Sequence, residues 1–221
     1  PIILKIILPL GISFYTFQTI SYTIDVYRGF IKPERNFILF ACYVTFFPQL
    51  VAGPILRAAE VIPQFKNRPT FSFNYIFVGA RLILFGLFLK VVMADNLSVL
   101  VDSGFSMEVE KMSAIDVWTL AFLFGFQIYF DFSGYSLIAI GSARMMGIFF
   151  PNNFNFPYAS SSPKEFWQRW HISLSSWIRD YLYLPLNKAK VFNRSEGGIS
   201  QAVRIKGNKT SLFITMGIMG L

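Results

Sequence analysis

One imidazole and one thiol carry most of the chemical options of this chain: His171 and Cys42. A neutral imidazole, with an ordinary pKa of about 6.5, can take a proton from a hydroxyl at neutral pH as that hydroxyl attacks a carbonyl carbon. A single cysteine excludes an intrachain disulfide framework and a Cys-rich zinc site. A single histidine excludes any intrachain Ser-His-Asp arrangement that does not use residue 171. No metal site can be assembled from this pair, and no glycine-rich phosphate loop is visible.

His171 lies in the most informative stretch of the sequence, Ser162 to Tyr181. Ser162 is a good N-cap, Pro163 suits the first helical position, and Glu165 completes a capping box. At about 100° per residue, Phe166, Trp167, Trp170, Leu174, Trp177, Ile178 and Tyr181 fall on one arc, so a continuous amphipathic helix over 163–184 is expected, lying in a membrane interface. His171 sits at its seam. Periodicity alone supports only an interfacial helix, and favours a structural anchor with a hydrogen-bonded boundary histidine over a catalytic one.

The elements that position this segment follow from composition. The chain has 221 residues, 54% hydrophobic, 18% aromatic and 14% charged; a soluble domain carries about 25% charged residues. The net charge of +8 does not point to nucleic acid, because the basic residues sit between long apolar runs and suit lipid headgroups instead. Charge-free runs at 6–24 and 36–56, and nearly charge-free runs at 73–93 and 117–143, read as membrane segments, with another beginning at Thr210. Basic stretches at 26–35, 57–68 and 188–209 are placed in the cytoplasm by their Lys/Arg content; the acidic stretch 95–116 reads as a loop outside.

Segment 36–56 has basic stretches at both ends and contains Pro48, Gln49, Gly53 and Pro54. It reads as a re-entrant or broken segment whose non-helical backbone, with Gln49 and Pro54, lines a tunnel; a simple kink is the alternative. Asp131, in the middle of an apolar run, must face protein or water. It is either a tunnel-lining acid or the partner of Arg81 or Lys90. The chain opens at Pro1 and closes at Leu221 inside apolar runs, so the expectation is one partial membrane-embedded domain over 1–221, truncated at both ends.

The run Phe166-Trp167-Gln168-Arg169-Trp170-His171-Ile172-Ser173-Leu174-Ser175-Ser176-Trp177-Ile178-Arg179-Asp180-Tyr181 closely resembles the signature of the membrane-bound O-acyltransferase (MBOAT) family. Three further stretches agree in order: Leu8 to Gly29, Phe46 to Ile55, and Tyr129 to Ser136 running on to Asn153–Tyr158. The likeness is greatest to the bacterial branch that O-acetylates exopolysaccharides such as alginate. Leu137, where that branch often has Asp, and Asn187-Lys188, in place of Gly-Gly, depart from it.

The resemblance implies an all-α, polytopic membrane fold with re-entrant and interfacial helices, in a bacterial inner membrane. It implies acetyl transfer from a cytoplasmic thioester donor, acetyl-CoA or an acyl carrier, to an extracytoplasmic polysaccharide, with no bound cofactor or metal. The expected partners are membrane lipid and periplasmic acetyltransferase or polysaccharide-assembly proteins. His171 matches the first of two family histidines; the second is expected in a Trp-His-Gly run past Leu221, so this piece alone is expected to be inactive. Gln49, Pro54, Asp131, Arg169, Trp170, Ser173, Arg179 and Asp180 are the candidate substrate or tunnel residues. D-alanyl or lysolipid acyl transfer, and a non-enzymatic export component, are the alternatives.

Overall fold

A computed structural model describes residues 11–50, 53–67 and 71–188. The expectations for 188–209 beyond Lys188, and for the run from Thr210, lie outside the described residues. Among the described residues there are helices and no strand. They form two compact units: one gathers the residues up to Thr19 with Pro33–Asn153, the other Ile20–Lys32 with the residues from Phe154 on.

The first unit is built on two long helices. Phe73–Leu87 (α4), a π-helical stretch Phe88–Ala94 and Asp95–Phe105 (α5) run on without interruption. Together they make 33 residues, and α6, Ala114–Met145, makes 32. Each exceeds the roughly 20 residues that a membrane span needs. Large apolar side chains cover their outer faces, Leu84 67% exposed and Trp118 67% exposed, as lipid contact requires. Ser113 and Asp116 close a capping box at the start of α6. The acidic stretch from Asp95 is therefore not a loop up to Asp116. Asp95 is turned back onto Lys90, and Asn96 donates to the Val92 carbonyl at 2.7 Å. With both polar groups used within the helix, it continues to Phe105, leaving a short connection before α6.

The two long helices run antiparallel in close approach. A Cβ at Gly134 would lie 2.8 Å from the Gly86 carbonyl oxygen, and one at Gly79 would lie 2.6 Å from that of Gly141. Glycine is required where backbones meet at this distance. Near the midpoint of both helices, Lys90 Nζ lies 2.6 Å from Asp131 and 2.8 Å from Asp95. The partner of Asp131 is thus Lys90; Arg81 lies instead over the Phe77 ring.

The 36–56 segment is broken, as its prolines and glycine require. Phe37–Thr45 (α2) has nine residues, about 14 Å at 1.5 Å each, and is capped by Asn36, whose side chain accepts from Ile38 and Leu39. A single 3₁₀ turn at Phe47–Gln49 follows, and residues 53–57 are irregular before Ala58–Lys66 (α3). Water is excluded there, so side chains satisfy the interrupted backbone. Gln49 donates to the Tyr43 carbonyl at 2.8 Å and to the Gln18 side chain at 3.3 Å on helix α1, Ile12–Tyr27. The Tyr43 hydroxyl donates to the Leu56 carbonyl at 2.9 Å. Gln64 of α3 exchanges two hydrogen bonds with the Phe149 backbone just after α6.

These contacts give two expected outcomes in thermal unfolding of the full-length protein in detergent. Gly134→Val overpacks the helix pair and lowers stability by about 1–3 kcal/mol. Tyr43→Phe leaves a buried carbonyl without its donor, at about 1–3 kcal/mol. Wild-type unfolding midpoints in both variants would refute the roles given to these contacts.

Candidate active site

Pro163–Arg169 (α7) starts as the sequence requires, with the Ser162 hydroxyl accepting from the Glu165 N–H at 3.2 Å. The Glu165 carboxylate reaches one residue further back than expected, to the Ser161 N–H at 2.9 Å and hydroxyl at 2.8 Å. These bonds and Arg169 hold its carboxyl below the usual range.

The continuous helix expected over 163–184 does not form. It stops at Arg169 and restarts as Ile172–Trp177 (α8), a π-helical turn Ile178–Tyr183 and Leu184–Lys188 (α9). Trp170 is extended, with φ −101° and ψ 129°. His171 is left-handed, with φ 39° and ψ 56°. A loop residue far from the helix is the cause. The Asn155 N–H donates to the Arg169 carbonyl at 2.9 Å, occupying the acceptor that a continuing helix would need. The Arg169 guanidinium meets the Asn155 carbonyl at 3.4 Å and Glu165 at 2.8 Å. Beyond the break, Ser175 uses its hydroxyl on the Trp170 carbonyl at 3.1 Å and its N–H on the His171 carbonyl at 2.9 Å. Every carbonyl from Arg169 to His171 thus has a donor.

A left-handed conformation costs a residue other than glycine about 1–2 kcal/mol, and histidine is among those that enter it more often. Phe156, in the loop that carries Asn155, is left-handed too, with φ 45°. The two left-handed residues are linked through one hydrogen-bonded pair, Asn155 and Arg169. Aromatic rings surround the break: Trp170 stacks on Phe166 at 5.5 Å and meets the Phe154 edge at 5.1 Å. His171 Nε2 is buried, and burial pushes the imidazole pKa down to about 4.

The second unit therefore brings together His171, Arg169, Trp170, Ser173, Arg179 and Asp180. Ser173 is buried on α8, and its carbonyl accepts from Ser176. Arg179 and Asp180, on the π-helical turn, pair at 2.8 Å, which raises the guanidinium pKa. On the same turn the Tyr181 hydroxyl donates to the buried Asp25 carboxylate at 2.7 Å, with Arg28 5.9 Å from the Tyr181 ring centre. Gln49, Pro54 and Asp131 belong to the first unit. Gln49 and Pro54 are buried in and just after the 3₁₀ turn, and Asp131 is on α6.

Asn155, Phe156 and Asp25 lie within stretches that carry the family resemblance, but the sequence reading gives none of them a role. What Asn155 does is a backbone contact with no residue signature. Nothing in the sequence pairs Asp25 with Tyr181.

The sequence model of the membrane-bound O-acyltransferase family, MBOAT, matches residues 31–197. A probable alginate O-acetylase of Pseudomonas aeruginosa is 44% identical over 220 residues, 100% of this chain and 39% of that protein. A peptidoglycan O-acetyltransferase of Helicobacter pylori is 39% identical, with 85% of this chain and 40% of that protein covered. A teichoic acid D-alanyltransferase of Streptococcus thermophilus is 32% identical, with 80% and 44% covered. The chain spans about two fifths of the length of these relatives. Motifs, the helices of the described residues and these likenesses agree that the chain belongs to the membrane-bound O-acyltransferase family.

Proposed function

We propose that the protein to which this chain belongs is a multi-pass enzyme of the bacterial inner membrane that O-acetylates an extracytoplasmic polysaccharide such as alginate. The relatives that support this reading most are acetyl transferases to glycans, at 44% and 39% identity. D-alanyl transfer is the second reading, carried by the more distant match at 32%. The donor is a cytoplasmic thioester, acetyl-CoA or an acyl carrier, used as a co-substrate. Periplasmic acetyltransferase or polysaccharide-assembly proteins are the partners.

The observation that carries the site is the left-handed His171 at the break between α7 and α8. In the reaction, the acceptor hydroxyl oxygen bonds to the thioester carbonyl carbon, the C–S bond breaks, the thiolate leaves, and the hydroxyl proton passes to a base. A group with pKa about 4 is a weak base at neutral pH, because efficient general bases lie near the working pH. His171 therefore acts as a neutral imidazole that orients the acceptor or polarises the carbonyl by hydrogen bonding. Proton removal falls to the second family histidine. Around His171, Arg169, Trp170, Ser173, Arg179 and Asp180 shape the substrate path. Gln49, Pro54 and Asp131 hold together the membrane segments of the first unit. Excluding water from the reacting groups limits hydrolysis of the donor.

Two measurements test this on the full-length protein in membranes. His171→Ala lowers acetyl transfer to glycan at least tenfold, while His171→Asn, which tolerates the left-handed backbone and keeps a hydrogen bond, retains more activity than Ala. Wild-type acetylation in the Ala variant would end the assignment. The sign of the pH effect follows from the depressed pKa. Between about 6.5 and about 4 the unfolded imidazole binds a proton and the folded one does not, so His171 draws stability down as pH falls through that window. Its charge in the folded protein does not change above about pH 5. An acidic limb of the rate near pH 6.5 that vanishes in His171→Asn would contradict this.

A further inference from the structure

The geometry of α4 points to a binding site that acyl transfer does not use: we propose that the groove lined by Val78, Arg81, Leu82 and Phe85 holds one anionic phospholipid of the cytoplasmic leaflet. The groove measures about 440 Å³ and lies on the outer face of the helix. Three of its four residues are apolar, and the fourth is a guanidinium. Arg81 is exposed and has no acidic partner among the described residues; its one contact is the Phe77 ring, 5.7 Å away.

Depth selects the occupant. The continuous helix Phe73–Phe105 has 33 residues, about 50 Å at 1.5 Å per residue, against a hydrocarbon core of about 30 Å. Centring it leaves about 10 Å of helix outside the hydrocarbon at each end. The Arg81 backbone, eight residues into the helix, lies about 12 Å from its start, at the boundary between acyl chains and headgroups. Helical side chains lean toward the N-terminus, and the contact with Phe77, one turn earlier, shows that the guanidinium does so. It is thus carried out to the level of the phosphates.

Charge complementarity completes the fit. A guanidinium can hold a phosphate through two N–H groups. The acyl chain then lies along Leu82 and Phe85, which follow Arg81 down the helix into the hydrocarbon, with Val78 beside the headgroup. Arg57 and Lys66 precede this end of α4, and the Lys/Arg bias puts it in the cytoplasm, where the leaflet carries anionic lipid.

The test uses the purified full-length protein exchanged into bilayer discs of phosphatidylcholine with 10%, 30% or no phosphatidylglycerol. Lipid retained after extraction is counted by native mass spectrometry, and unfolding temperature is followed in parallel. In the 10% bilayer wild type retains phosphatidylglycerol at least fivefold over its share, and it unfolds at a higher temperature when that lipid is present. Arg81→Gln loses that enrichment, and Val78→Trp, which fills the groove but keeps the charge, loses it as well. No enrichment in wild type overturns the proposal whatever the variants do. So does enrichment that survives Arg81→Gln. An Arg81→Gln variant that unfolds at a lower temperature by the same amount in all three bilayers, with retention unchanged, also overturns it and assigns Arg81 to a carboxylate elsewhere in the protein.

Discussion

A backbone carbonyl inside a membrane has no water to turn to, so every place where a helix is interrupted must supply its own donor. Two interruptions in the described part of this chain, at Pro48 and at the buried, interfacial His171, meet the same demand. At the turn around Pro48, Gln49 and Tyr43 use side-chain donors on the carbonyls of Tyr43 and Leu56. At the break around His171, an Asn155 N–H and two groups of Ser175 take the three exposed carbonyls. The polar residues in these segments are engaged with backbone before any substrate arrives. Gln49, for one, spends its amide on the Tyr43 carbonyl and the Gln18 side chain.

The helix pair meets the same low-dielectric constraint with charges. Paired glycines let α4 and α6 approach until carbonyls nearly touch, and the closeness brings Lys90 within reach of Asp131. An isolated charge at mid-membrane costs about 2.5–3.5 kcal/mol on insertion scales. A lysine between two aspartates moderates that cost and fixes the register of the pair. The π-helical stretch at Phe88–Ala94 alters the side-chain phase at the point where the lysine must turn inward, a frequent use of such bulges.

Much of this was legible in the residues. The helix start at Ser162 and the broken character of 36–56 follow from local chemistry: capping oxygens, prolines and a tight glycine. The run 117–143 lies wholly inside the observed Ala114–Met145, because apolar length is a strong signal. Acidic density over 95–116 misleads, since Asp95 satisfies itself within the helix through Lys90 and charge alone does not end a helix. The continuous amphipathic arc over 163–184 misleads for a different reason. Its aromatic periodicity is real within each piece, but the break depends on Asn155, fourteen residues from Arg169, and on a backbone angle that no single residue announces.

The left-handed turn at His171 also restricts what variation can offer this position. Besides glycine, that region of backbone space is open chiefly to asparagine, aspartate and histidine. The histidine codons CAT and CAC stand one base from those of asparagine (AAT, AAC) and of aspartate (GAT, GAC), whereas reaching glycine takes two changes. The other single-base neighbours of histidine, Tyr, Gln, Arg, Leu and Pro, enter that region less readily, so of the changes the code supplies in one step asparagine and aspartate fit the turn best, and both keep a polar group there. Backbone geometry thus biases variation at this position toward hydrogen-bonding chemistry before selection on catalysis has acted at all.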